Sequence, residues 1–91
     1  MTKSDIVKEI IEKEGLRRTI AEEVVDIIFD SMKEALVEGD KVEIRGFGSF
    51  KVKDYKGYEG RNPRTGEIIN VPSKKLPFFK VGKDLKEKLN S

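Results

Sequence analysis

Gly60-Arg61-Asn62-Pro63-Arg64-Thr65-Gly66-Glu67 governs how the rest of the chain is read. Glycines bound the stretch, and two arginines stand either side of a proline. Such punctuation between two extended segments is the pattern of a hairpin tip. Basic residues continue outward on both sides: Lys51, Lys53 and Lys56 before the turn, and Lys74, Lys75, Lys80 and Lys83 after it. Taken alone, Pro63 is only a turn former. On a ribbon with cationic edges, a rigid apolar ring suits a different task. It can lie in a nucleic-acid groove and push a wedge between base pairs.

The charge distribution agrees. The chain of 91 residues carries a formal net charge of only +2. Residues 1–50 hold 8 basic and 12 acidic side chains, for −4, whereas residues 51–83 hold 9 basic and 3 acidic, for +6. A cationic middle segment points to a polyanionic partner. The acidic remainder reads as a solvated surface.

Composition narrows the function classes. His and Cys are both absent. The commonest metal ligand, the commonest general base and any thiolate or disulfide chemistry are therefore missing. No nucleophile–base pair and no glycine loop of the phosphate-transfer type is found. The expectation is a non-enzymatic protein without cofactor, metal or small-molecule substrate. The N-terminus Met1-Thr2-Lys3-Ser4-Asp5 lacks the apolar core of a signal peptide, and no apolar run approaches membrane-spanning length. A soluble cytoplasmic protein without a membrane partner is expected. One small domain spanning 1–91 fits the length, with 1–50 as a helical body and first strands, 51–76 as an arm, and 77–91 as a return strand and last helix. Hydrophobic content of 36% without Trp leaves little core for one copy. A second copy sharing it would help.

Thr2 and Asp5 form a capping pair for a first helix, in which Ile6, Val7, Ile10 and Ile11 recur at helical spacing before Gly15 stops it. Thr19 and Glu22 read as a second capping box. Ile20, Val24, Ile27, Ile28, Ser31, Met32, Ala35 and Leu36 then run along one stripe that ends at Gly39. The period switches to two at Val42 and Ile44. Phe50 and Val52 continue a second strand after the tight turn Gly46-Phe47-Gly48. Lys53–Tyr58 and Ile68–Lys75 form the limbs of the ribbon. At ~3.3 Å per residue, about ten residues per limb would reach on the order of 30 Å. A free two-stranded ribbon is marginal in water, so the arm is expected to order on its partner. Phe78, Phe79 and Val81 are expected to return to the core, and a short helix follows over Lys83–Leu89.

Three strings now stand together: Ile44-Arg45-Gly46-Phe47-Gly48-Ser49-Phe50, Gly60-Arg61-Asn62-Pro63-Arg64-Thr65-Gly66, and Pro77-Phe78-Phe79-Lys80-Val81-Gly82-Lys83-Asp84-Leu85-Lys86. In this order and spacing the chain resembles the bacterial HU/integration host factor family of histone-like proteins over essentially its whole length. The resemblance implies an α+β fold: a helical hairpin body, a three-stranded antiparallel saddle with a long protruding β-arm, a short C-terminal helix, and an intertwined dimer. It implies a nucleoid protein that bends double-stranded DNA through the minor groove. Pro63 matches the intercalating proline. Arg61, Asn62, Arg64 and Thr65 match tip residues, with Lys53, Lys56, Lys74 and Lys75 along the arm. Lys3, Arg18, Lys80 and Lys83 match a phosphate clamp, and Ile44, Phe47, Phe50 and Phe79 match the dimer core.

Two departures from the family pattern stand out. Tyr55 and Tyr58 occupy arm positions that are commonly basic in HU proteins, and Glu59 adds a negative charge. Glu43-Ile44-Arg45-Gly46 looks more like the beta subunit of integration host factor, in which such residues help recognise flanking sequence. Lys41, Glu43 and Arg45 are therefore candidates for sequence readout, or else a plain surface cluster. An HU-like homodimer of low specificity is favoured. A host-factor-like subunit paired with a related chain is the alternative, and an adaptor for an acidic protein is a remote one.

Overall fold

A computed structural model describes all residues, Met1–Ser91. Helix α1 (Lys3–Glu14) opens on the expected capping box. Thr2 Oγ1 accepts the Asp5 N–H at 3.3 Å, and Asp5 Oδ2 accepts the Thr2 N–H at 2.8 Å. Gly15, at φ 65°, closes the helix with its N–H on the Ile11 carbonyl. Helix α2 (Arg18–Val37) differs from expectation at its start. Its cap is Arg17 in an extended conformation, without a side-chain hydrogen bond. Thr19 lies inside the first turn, so the Thr19–Glu22 capping box does not form. At the other end the Gly39 N–H reaches the Leu36 carbonyl and the Asp40 N–H the Ala35 carbonyl. That double closure ends the helix.

The two helices bury Val7, Ala21 and Val25 against each other, with Ile6, Ile10, Ile11 and Leu16 packed around them. These three are the only fully buried residues. The stripe read along α2 is therefore only partly an intramolecular face. Ala21 and Val25 face α1, while Ile20, Ile27 and Ile28 stay 44%, 59% and 49% exposed. A 3.6-residue period detects an apolar face but does not say which neighbour covers it.

Three antiparallel strands follow, β1 (Val42–Ile44), β2 (Gly48–Tyr55) and β5 (Lys74–Val81), ordered β1-β2-β5. The β1–β2 turn bonds the Phe47 N–H to the Ile44 carbonyl at 3.0 Å and holds Gly46 at φ 83°. Glycine is the residue that tolerates this third turn position. Gly48 is needed for a different reason. A Cβ there would meet the Lys80 carbonyl oxygen at 2.5 Å and the Phe79 ring at 2.6 Å.

Strands β3 (Tyr58–Arg61) and β4 (Ile68–Val71) form a separate two-stranded ribbon. The arm is thus broken rather than continuous, at Lys56–Gly57 on one limb and Pro72–Ser73 on the other. Pro72 has no N–H to give to a ladder. Gly57 lies so close to the other limb that a Cβ would be 2.6 Å from the Val71 carbonyl oxygen. Helix α3 (Lys83–Leu89) completes the chain.

The molecule measures 60 × 35 × 28 Å with a radius of gyration of 19.3 Å. A compact chain of this length would have about 12 Å. Its accessible surface is 8062 Å², against roughly 5,400 Å² for a compact monomer of this mass. One copy leaves apolar surface on α2 and the sheet without cover. No helix is long and apolar enough to cross a membrane.

Candidate nucleic-acid interface

The tip of the arm is fixed by its own hydrogen bonds. Beyond the Arg61↔Ile68 pair, the Asn62 N–H donates to the Glu67 carbonyl at 2.9 Å, and the Gly66 N–H to the Asn62 carbonyl at 2.7 Å. Asn62 Oδ1 accepts the Arg64 N–H at 2.9 Å, bridging over Pro63. Thr65 Oγ1 accepts the Glu67 N–H at 3.3 Å, and Gly66 takes φ 73°. Each residue type meets a need. Proline fixes its own φ and has no N–H to satisfy, asparagine mimics a backbone turn, and glycine supplies the left-handed corner. Pro63, Arg61, Arg64 and Thr65 are exposed and Asn62 is half-buried. A rigid ring therefore projects between two arginines.

Strand register sorts the remaining residues by face, since directly opposed residues share a side. Val42↔Phe50↔Phe79, Ile44↔Gly48↔Val81 and Val52↔Pro77 give one apolar face. On it the Phe79 ring lies 4.8 Å from Phe50 and 5.3 Å from Phe47, centroid to centroid. Ile44, Phe47 and Phe79 remain more than a third exposed. The opposite face carries Ser49↔Lys80, Lys51↔Phe78, Lys53↔Leu76 and Tyr55↔Lys74. Lys51, Lys53, Lys74 and Lys80 thus share one cationic side of the sheet. Lys75, grouped with them by sequence, lies on the other face opposite Asp54. Lys56 falls in the break between the two ribbons. Phe78, expected to return to the core, sits on the cationic side, with Lys53 Nζ 3.5 Å from its ring centroid.

The body cations have a different setting. Lys3 and Arg18 line one concavity of ≈ 190 Å³ together with Glu22 and Asp26. Lys3 is paired with Asp26, and Arg18 with Glu22 at 3.8 Å. The Asp26 carboxylate, through a hydrogen bond and its charge, raises the Lys3 pKa above the ordinary lysine value. Lys83 reaches Glu87 at 3.9 Å. It lines a second concavity of ≈ 650 Å³ with Glu43, Arg45 and Lys80, so the structure gathers these four around one end of the sheet. Lys41 pairs with Glu43 at 3.0 Å, and that contact raises the Lys41 pKa. Glu43 therefore pairs with Lys41 rather than with Arg45. Arg45 has no carboxylate within ion-pair distance.

Lys51, read from sequence only as one of the basic residues flanking the tip, joins Lys53 on the cationic face through strict alternation from Ser49 to Tyr55. Gly57 is the residue that sequence reasoning passed over, and no local signal could have found it, because its need arises from the other limb.

The family model described as "Bacterial DNA-binding protein" matches residues 1–90. The DNA-binding proteins HU of Geobacillus stearothermophilus and Bacillus caldolyticus are each 45% identical to this chain over 87 residues, covering 96% of it and 97% of the relative. Among solved structures, HU from Anabaena in a cocrystal with DNA superposes with a TM-score of 0.84 at 37% identity, over 98% of this chain and 97% of that one. HU from Thermotoga maritima gives 0.67 at 31% identity, over 98% of both chains.

Proposed function

The chain belongs to the bacterial DNA-binding protein family, and the relatives named above are HU proteins; from that membership we propose a non-enzymatic architectural protein that bends and compacts double-stranded DNA. Bending by an apolar wedge is the established behaviour of HU-type proteins as a class. The observation that carries the reading to this chain is the tip. Pro63 is exposed, held by the Asn62 bridge, and flanked by Arg61 and Arg64. Arginine gains from the deep negative potential of a narrow minor groove. The proline ring loses no rotamer freedom on insertion. Unstacking costs a few kcal/mol per step, and the bent duplex offsets it by reaching more protein.

All of residues 1–91 act as one DNA-binding unit in this reading, working as a homodimer in the bacterial nucleoid. The large uncovered surface supports the dimer. A second copy over Ile27, Ile28, Ile44, Phe47, Phe50 and Phe79 removes the apolar face that one chain leaves open, and it sets two arms side by side. Bent DNA then falls on the cationic face of Lys51, Lys53, Lys74 and Lys80. It continues onto Lys3, Arg18 and Lys83, which exchange carboxylates for phosphates. HU relatives rather than host-factor chains favour low sequence specificity. Lys41 and Glu43 already satisfy each other, which leaves Arg45 as the freer member of the proposed readout set.

Pro63→Ala tests the wedge. The expected result is a smaller bend angle by fluorescence transfer between duplex ends, with the salt dependence of binding retained. An unchanged bend angle would remove Pro63 from the mechanism.

A further inference from the structure

We propose that Phe78 is a positioning residue for DNA binding, holding the Lys53 ammonium on the duplex-facing side of the sheet. The inference rests on the DNA-binding reading above and goes beyond it in assigning a role to an aromatic side chain.

Three observations carry it. First, Phe78 has the wrong parity for the core. Phe79 points to the apolar face with Phe50, whereas Phe78 shares its side with Lys51, Lys53 and Lys80. The ring is half-buried there, away from the apolar face of the sheet, so what covers it lies on the cationic side. Second, Lys53 Nζ lies 3.5 Å from the Phe78 ring centroid, within the range of a cation–π contact. Lys53 is directly opposite Leu76 and diagonal to Phe78, so the ring can sit beneath the ammonium while the stem lies over apolar surface. Third, Lys53 is the one lysine of the chain that is half-buried; all the others are exposed. It also has no carboxylate partner within ion-pair distance. The ring therefore limits the side chain without neutralising it. A free lysine gives up rotamer freedom when it is fixed, and Phe78 has already removed part of that freedom before the phosphate arrives. The ammonium keeps its N–H groups on the side away from the ring for a phosphate oxygen.

A double-mutant cycle on the full-length protein tests the assignment, with duplex affinity read at fixed salt. Phe78→Leu keeps an apolar side chain and removes the π-face. It is expected to weaken binding roughly two- to five-fold, the range of an exposed cation–π contact. Phe78→Tyr keeps the face and is expected to retain wild-type affinity. In a Lys53→Met background, Phe78→Leu is expected to have no further effect. An equal loss in both backgrounds, or no loss in either, overturns the proposal, because Phe78 then acts on its own or not at all. If Phe78→Leu lowers the thermal midpoint, the Phe78→Tyr arm still decides: a loss of affinity in that folded variant overturns the assignment. Failure of the wild-type protein to bind duplex DNA in a salt-dependent way would sink the DNA-binding reading instead, so the two outcomes are distinct.

Discussion

The helical body and the β-ribbon use the same charged residues in opposite ways. The protein forms seven ion pairs, and none involves a residue between Ile44 and Gly82. On the helices, residues three or four apart meet, so Lys13 finds Glu9 and Lys88 finds Asp84. On the strands, residues two apart share a side, and here that repeat brings Lys51 beside Lys53 and opposes Tyr55 to Lys74. The body pairs most of its cations with its own carboxylates, Arg45 being an exception, while the ribbon leaves all of its cations without an ion pair. The contrast locates the interface more sharply than net charge does.

The largest expected effect comes from spoiling the ribbon's closest approach. Gly48→Ala would press a methyl group onto the Lys80 carbonyl and the Phe79 ring. A loss of about 2–3 kcal/mol of stability is expected, measured by chemical denaturation. Wild-type stability in this variant would show that the sheet relaxes freely at this point.

Charge removal gives the next effect. Lys51→Ala with Lys74→Ala is expected to lower the slope of log affinity against log salt by about 1.8, two phosphates at ~0.9 each. The matched body variant, Lys13→Ala with Lys33→Ala, removes two lysines already held by Glu9 and Asp30 and should leave the slope nearly unchanged. Equal slopes for the two variants would erase the distinction between paired and unpaired cations.

The smallest effect is at alkaline pH. Asp26 raises the Lys3 pKa in the folded protein. A raised lysine pKa contributes stability that is fully present below the unfolded value of about 10.4 and is lost as pH rises through the folded value. Asp26→Asn should therefore flatten the fall in stability above that pH, as followed by thermal unfolding in buffers from neutral to alkaline. A wild-type slope in the variant would show that this pair does not contribute. Both side chains are largely exposed, so the pair's contribution to stability is modest and salt-sensitive.

Local signals explain why so much was legible. The Thr2–Asp5 box, Gly15, Gly39 and the Asn62–Gly66 tip each act within a few residues of chain, and sequence alone placed them. Thr19 failed for a similar local reason: with Arg17 serving as the cap, the helix began one residue before the expected box. The candidate site was legible in kind, since Pro63 and its arginines announce themselves by type and order. It was not legible in detail. Whether Lys75 and Phe78 join the cationic face depends on how β5 registers with β2. The break at Gly57 depends on Pro72, fifteen positions away.

By itself, the sequence determined an α+β chain with capped helices, a proline-tipped ribbon and a cationic middle, because periodicity, capping and turn chemistry are local properties. Only the tertiary structure decided that α2 carries two apolar faces rather than one, that the arm comes in two pieces, and that Lys53 rests on Phe78. Those outcomes follow from register and close approach between distant segments, which no local pattern encodes.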